Sequence, residues 1–288
     1  MKNVSMPMKP GLFTVLALTA FAANSILCRL ALEGPAIDAA SFTTVRLSSG
    51  ALALLIFSSL TSKSFPSGLG GSWSAASLLF LYAVPFSFAY LSLSAGTGAL
   101  ILFAAVQLTM ILAALLAGER PAQLEWLGLV AALAGLVYLV SPGLSAPSAA
   151  GSVLMGLAGI SWGLYSLLGR GVQDPIRVTT GNFVRAVPFT FLVSAVAFRS
   201  LELSGRGVLL AVLSGALTSG LGYVVWYAAL PGLSSTRAAT VQLSVPVRAA
   251  VGGVLFLFET VTFRLLLSAA LILGGIGLSL LGKRKENQ

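Results

Sequence analysis

Apolar stretches of about 20 residues recur down the whole length of this 288-residue chain, each long enough to cross the hydrocarbon core of a bilayer. They fall at roughly 11–31, 39–60, 73–92, 96–117, 123–141, 150–169, 178–198, 207–229, 234–257 and 263–282. Only 9% of the residues are charged and the mean hydropathy is +0.97. A soluble protein carries about a quarter charged residues, so lipid must be the solvent for most of this surface. Short connections leave no room for a soluble domain. The expected fold is an all-α membrane protein of ten transmembrane helices.

The ten runs divide into two similar halves, 1–145 and 146–288. Arg46 sits early in the second run and Arg185 at the matching place in the seventh. Glu119 closes the fourth and Glu259 the ninth, while Gly135 and Gly275 fall alike inside the fifth and tenth. From Leu91 to Leu136 the chain runs without a gap against Pro231 to Ile276, although identities are sparse. Five spans per half make the second copy enter the bilayer from the opposite side. Inverted repeats of this kind characterise secondary transporters.

The basic residues orient the chain. With a cytoplasmic N-terminus, the inside receives Lys2, Lys9, Lys63, Arg120, Arg170, Arg177, Arg237, Lys283, Arg284 and Lys285. The outside receives Arg29, Arg199, Arg206 and Arg264, which satisfies the positive-inside rule; both termini are therefore expected in the cytoplasm. The net charge of +9 then needs no nucleic-acid partner. The terminal Lys283-Arg284-Lys285 reads as a topology anchor or as a patch for anionic lipid. Lys2, Lys9 and Ala20-Phe21-Ala22-Ala23 imitate a cleavable signal peptide. Cleavage would break the pairing of the halves, so the segment is kept as the first helix. Cys28, the only cysteine, can form no intrachain disulfide.

The chain has no histidine, and its acids (Glu33, Asp38, Glu119, Glu125, Asp174, Glu202, Glu259 and Glu286) all fall at or near span ends. An intramembrane carboxylate usually carries the proton of a pump or attracts a cationic drug, and none is present. Without histidines, clustered cysteines or buried acids, no metal site or cofactor is expected. Gly159-Ile160-Ser161-Trp162-Gly163 matches the G-x-S-x-G of serine hydrolases, but that motif needs a strand-to-helix elbow and a histidine. Here the glycines suit close helix packing, and an enzyme is not expected.

Three arginines lie within spans, where a charge near the bilayer centre costs roughly 2.5–3.5 kcal/mol on insertion scales. Arg46 and Arg185 are about two turns into their helices, so they can snorkel to the interface, and their repeat pairing suits a structural role, bonding backbone carbonyls or a neighbouring helix end. Arg248 is nearer mid-span and its repeat counterpart is Leu108, so it could grip a substrate carboxylate or form a structural pair.

Polar and aromatic residues mark the candidate cavity. Asn24 and Ser25 lie deep in the first span, and Trp162, Tyr165 and Ser166 in the sixth. Tyr82, Phe86 and Tyr90 make one stripe along the third, and Tyr223, Trp226 and Tyr227 another in the eighth. Gln107 and Thr109 lie in the fourth span, Gln242 and Ser244 in the ninth. Such residues either line a cavity or bond a neighbouring helix. The candidate substrate-binding set is Asn24, Tyr82, Gln107, Trp162, Tyr165, Gln242 and Arg248. A mixed polar and aromatic lining suits a small amphipathic solute better than an inorganic ion. Pro85, Pro188 and Pro246, with Gly215, Gly220 and Gly222 in the eighth span and Gly96 and Gly98 in the fourth, are candidate kinks and hinges. The fifth and tenth spans, apolar and rich in small residues, read as outer walls or a dimer surface.

Ten short helices in two repeats, Asn24 and Trp162 in the paired first helices, Arg46 and Arg185 in the second, and Gly118-Glu119-Arg120 ending the fourth resemble the drug/metabolite transporter superfamily. The resemblance is to its EamA-type branch and, within it, to the YddG-like amino-acid exporters. Pro246 matches the family's proline thirteen residues before the glutamate, with Val106 in its place in the first half; Phe258 stands where a glycine precedes Glu259. The resemblance implies export of aromatic and other neutral amino acids, or similar metabolites, across a bacterial inner membrane. With no proton-carrying residue in sight, transport is expected to be facilitative, by a monomer or weak homodimer. A multidrug exporter of aromatic cations and a non-transporting membrane scaffold are the alternatives.

Overall fold

The computed structural model describes residues 10–61, 69–118, 123–143, 145–169, 172, 174–229 and 241–286. Helices follow one another as α1 (Pro10–Leu32), α2 (Ala39–Thr61), α3 (Trp73–Ala89), α4 (Ala95–Leu116), α5 (Gln123–Val140), α6 (Ala149–Leu168) and α7 (Pro175–Val196). The next, α8, is continuous but changes winding: α-helical over Gly205–Val212, π-helical over Leu213–Leu221, and α-helical again over Gly222–Ala229. Then come α9 (Ser244–Leu257) and α10 (Phe263–Glu286). Six of these helices are long and apolar enough to cross a membrane, and three shorter apolar ones accompany them. Glu119 and Arg120 lie outside the described residues.

Local chemistry sets where the helices begin. Ser72, Ser94, Ser148, Asp174 and Ser204 each turn a side-chain oxygen onto the backbone N–H three residues on, at 3.1–3.3 Å. Each thereby satisfies an amide the first turn leaves without a partner. Pro85 and Pro188 sit inside α3 and α7, which continue through them. Pro246 falls in the first turn of α9, and the helical winding at 241–242 is parted from α9 by a turn at Leu243, where the missing Pro246 N–H leaves a helical bond unmade.

Glycines set how closely the helices approach. Gly159 and Gly163 of α6 face Ala105 and Thr109 of α4, and Gly96 faces Ala250 of α9 at distances no larger side chain would allow. Gly96 and Gly98 are both close packing contacts, since a side chain on Gly98 would meet the Tyr90 ring. Gly128 of α5 and Gly275 of α10 meet backbone to backbone, with Gly135 against Leu271 and Ile272. The small-residue faces of α5 and α10 are therefore spent on each other. Their outer faces, with Leu127, Val130, Val137 and Leu266, are exposed and apolar, as a wall against lipid must be.

Candidate substrate site

At the centre of the molecule α1, α2, α3 and the π-helical part of α8 meet through polar side chains. Asn24 of α1 donates through its amide to the Tyr82 hydroxyl at 3.5 Å. Its carbonyl oxygen accepts from Ser214 at 2.7 Å and from Thr218 at 3.3 Å. Arg46 of α2 donates to the same Tyr82 hydroxyl at 3.1 Å and, through Nε, to Ser219 at 3.2 Å. Its guanidinium lies 4.8 Å from the Phe86 ring centre and 5.4 Å from that of Tyr82. All of these residues are buried. Arg46, 1% exposed, does not snorkel to the interface as its depth in the span allowed.

π-helical winding widens the turn and is frequent at functional sites. In α8 it carries Ser214, Thr218 and Ser219, three buried hydroxyls that all serve the cluster. In the sequence Leu213–Leu221 is an apolar run with glycines and three hydroxyls, and nothing in it marks the change of winding.

Aromatic rings extend the cluster toward one end. Trp162 of α6 packs 5.0 Å from Tyr82, 5.1 Å from Tyr223 and, stacked, 5.5 Å from Tyr165. Beyond Tyr165 a cavity of about 290 Å³ opens between the start of α3, the end of α6 and the start of α7. Ser72, Ala75, Leu168, Thr179 and Asn182 line it with Tyr165, so among the described residues its wall carries hydroxyl and amide groups but no formal charge. Asn182, not among the sequence candidates, donates to the Tyr165 hydroxyl at 3.3 Å and accepts from the Ser72 amide at 3.0 Å.

At the opposite end the helices are latched. The Glu259 carboxylate accepts from the Ala95 amide at the start of α4 at 2.9 Å and lies 3.6 Å from the Arg29 guanidinium. Arg29 also donates to the Tyr90 carbonyl at 3.0 Å, joining α1 to the end of α3. Glu259 reaches this place because Phe258 caps α9 with a φ of 53°. That left-handed conformation normally falls to glycine, as it does at Gly118 with a φ of 87°. Beside the latch, Asp38 accepts from the Glu202 amide at 3.2 Å, and Ile37 pairs with Leu203.

Four of the seven sequence candidates, Asn24, Tyr82, Trp162 and Tyr165, are therefore brought together. Gln107 is buried on α4, outside the hydrogen bonds of the cluster. Gln242 lies half-buried just ahead of α9. Arg248 donates to the Val15 carbonyl at 3.1 Å and to Thr19 at 2.8 Å, tying α9 to the first turns of α1 instead of facing the cluster. Arg185, the repeat partner of Arg46, bonds the carbonyls of Gly70, Leu69 and Gly181, as a backbone-capping role requires.

The sequence profile of the EamA-like transporter family matches residues 8–141 and again residues 149–281. The chain belongs to that family. This EamA-like protein is a multi-pass membrane transporter of the drug/metabolite superfamily, not a member of an enzyme family. It is 53% identical over 269 residues, 93% of each chain, to an uncharacterized protein of Pseudomonas aeruginosa. It is 32% identical over 184 residues to the threonine/homoserine exporter RhtA of Escherichia coli, covering 61% of this chain and 60% of that one. An uncharacterized transporter of Bacillus subtilis, YoaV, is 28% identical over 160 residues, 52% of this chain and 54% of its own. A solved crystal structure shares the fold with a TM-score of 0.67 at 21% identity, covering 93% of this chain and 97% of its own.

The latch of this EamA-like transporter titrates. Burial pushes the Glu259 carboxyl above its ordinary value of 4.5, against the Ala95 amide and Arg29, which pull it down. The folded protein therefore binds a proton at Glu259 more tightly than the unfolded chain does. Its stabilisation is fully present below 4.5 and is lost as pH rises through the elevated value. We expect the melting temperature of the wild type to gain on that of Glu259→Gln as pH falls from neutral toward 4.5. A difference between the two proteins that does not change with pH would contradict this.

Proposed function

We propose that this transporter exports neutral amino acids, aromatic ones included, or similarly small metabolites across the bacterial inner membrane by alternating access. In this reading ten spans form two inverted five-helix repeats, 1–145 and 146–288, with both termini in the cytoplasm. The cavity at the start of α3 and α7 then faces the cytoplasm, and the Glu259 latch faces outward.

The observation that carries the reading is the order of parts along the molecule. An uncharged polar cavity leads to stacked aromatic rings, then to a buried polar cluster, and then to a closed end. Asn24, Tyr82, Trp162 and Tyr165 are the residues we assign to the substrate path. Two-sided architecture with a buried centre is what rocking one repeat against the other requires. The threonine/homoserine exporter among its relatives favours small amino acids as cargo, and the resemblance to the YddG-like exporters extends the expectation to aromatic ones. With no acid among the residues of the path, transport is facilitative.

The aromatic rings also suit a cationic drug, but the charge buried behind them is itself a cation, which opposes such a ligand. The test is counterflow in proteoliposomes preloaded with unlabelled amino acids and given labelled threonine or phenylalanine, with and without a pH gradient. Gradient-independent accumulation is expected. No counterflow of any amino acid from folded protein would refute the reading.

A further inference from the structure

Arg46 is the largest fully buried side chain among the described residues. Two of its three nitrogens are engaged by neutral hydroxyls, Tyr82 and Ser219. The third, Nη1, is buried and has no hydrogen-bond partner among the described residues. Both ion pairs found among those residues belong to Arg29, so no carboxylate among the described residues neutralises Arg46. A guanidinium out of water with neither a counter-ion nor a full set of acceptors is costly.

Its repeat counterpart shows what a structural arginine looks like in this fold. Arg185 is surrounded by backbone carbonyl oxygens, from Gly70, Leu69 and Gly181. Arg29 has a carboxylate and a carbonyl. Arg29 Nε also lacks a hydrogen bond, but it lies 3.6 Å from the Glu259 carboxylate. Of the three, only Arg46 has a buried donor with neither a hydrogen bond nor a carboxylate beside it among the described residues, and its Tyr82 partner packs against Trp162.

We propose that Arg46 is the substrate's carboxylate anchor, its free Nη1 donating a charge-assisted hydrogen bond to one carboxylate oxygen at the centre of the path. The inference rests on the exporter reading and specifies its cargo: a free carboxylate is required, and an amide or ester of the same molecule is not carried. The Tyr82 hydroxyl holds the guanidinium plane against the Phe86 ring and so fixes where the free donor points. Trp162, between cavity and anchor, must move for a ligand to pass.

The test pairs acids with their amides: threonine with threoninamide, phenylalanine with phenylalaninamide, and benzoate with benzamide. Each is assayed by ligand-induced shift in melting temperature, and the amino acids also by competition in counterflow. In the wild type the half-saturating concentration is expected to be at least about tenfold lower for the acid than for the amide, the scale of one charge-assisted bond. Arg46→Gln abolishes that preference and Arg46→Lys keeps part of it. Equal binding of acid and amide by the wild type overturns the proposal without any variant having to fold. So does an acid preference that survives in Arg46→Gln. If benzoate beats benzamide while no amino acid binds or is carried, the anchor stands and the amino-acid reading falls. If no acid in the panel is preferred, the anchor falls, and counterflow of threonine would leave the exporter reading intact.

Discussion

Gly215→Val yields no folded transporter. A Cβ on Gly215 would land on the carbonyl oxygen of Arg46 and on the Ser49 hydroxyl. The carbonyl is backbone and cannot swing away, so relief requires moving the π-helical part of α8 off α2. Overpacking a core by single methylenes already costs about 1–3 kcal/mol, and two methyls beyond the clashing Cβ exceed that. The same displacement would separate Ser219 from Arg46 and Ser214 from Asn24. Gly156→Ala is the control, because nothing lies within 4 Å of its added carbon. That change is expected to be neutral or to stabilise by up to about 1 kcal/mol through helix propensity. Monodisperse yield on size exclusion and melting temperature report both; a well-folded Gly215→Val would mean that α2 and α8 are not in contact here.

Trp162→Ala is the second large effect, and it falls on transport rather than folding. Trp162 is only partly buried, yet it touches Tyr82, Tyr165 and Tyr223, so it links the cavity to the polar cluster. Aromatic pairs contribute about 0.5–1.5 kcal/mol each beyond area burial, and three are lost together. We expect the counterflow rate to fall at least about tenfold, which corresponds to about 1.4 kcal/mol in the barrier. Trp162→Phe keeps a ring in place and should recover most of the rate. Full activity in Trp162→Ala, with protein shown to be folded, would remove the aromatic path from the account.

The helices themselves were legible because each is a local property of the chain. Runs expected at 11–31 and 39–60 are observed as Pro10–Leu32 and Ala39–Thr61, and Ser72, Ser148 and Asp174 mark starts through their own side chains. Polar residues deep in apolar runs, Asn24 and Tyr82 among them, likewise announced themselves by the cost of burying them. What could not be read was which of them converge. Asn24 meets Ser214 across 190 positions and Glu259 meets Ala95 across 164, contacts decided by packing rather than by spacing. Arg46 and Arg185 sit at equivalent places in the repeat and point to unlike partners, one into hydroxyls and rings, the other into carbonyls. Position alone left Arg248 open as a carboxylate ligand or as one member of a structural pair. Its actual partners are a carbonyl and a threonine of α1, while a buried donor with no carboxylate beside it among the described residues belongs to Arg46. The π-helical winding of α8 was similarly hidden, because Leu213–Leu221 is an ordinary apolar run with glycines until its hydroxyls are seen meeting α1 and α2.

Alternating access, as proposed for this protein, requires the two ends to open in turn around the buried cluster. Cys28 is the only cysteine and is fully buried, so a Cys28→Ser background gives clean single-cysteine variants. Val178→Cys would report the cavity, and Ile37→Cys, at a position now 2% exposed, the latched end. With no substrate, a membrane-impermeant thiol reagent should modify the cysteine at 178 from the cytoplasmic side and leave the one at 37 unmodified. Adding threonine or phenylalanine should slow the first and speed the second, so that the two rates move in opposite directions. Rates that stay fixed, or that rise together, would contradict alternating access in this protein.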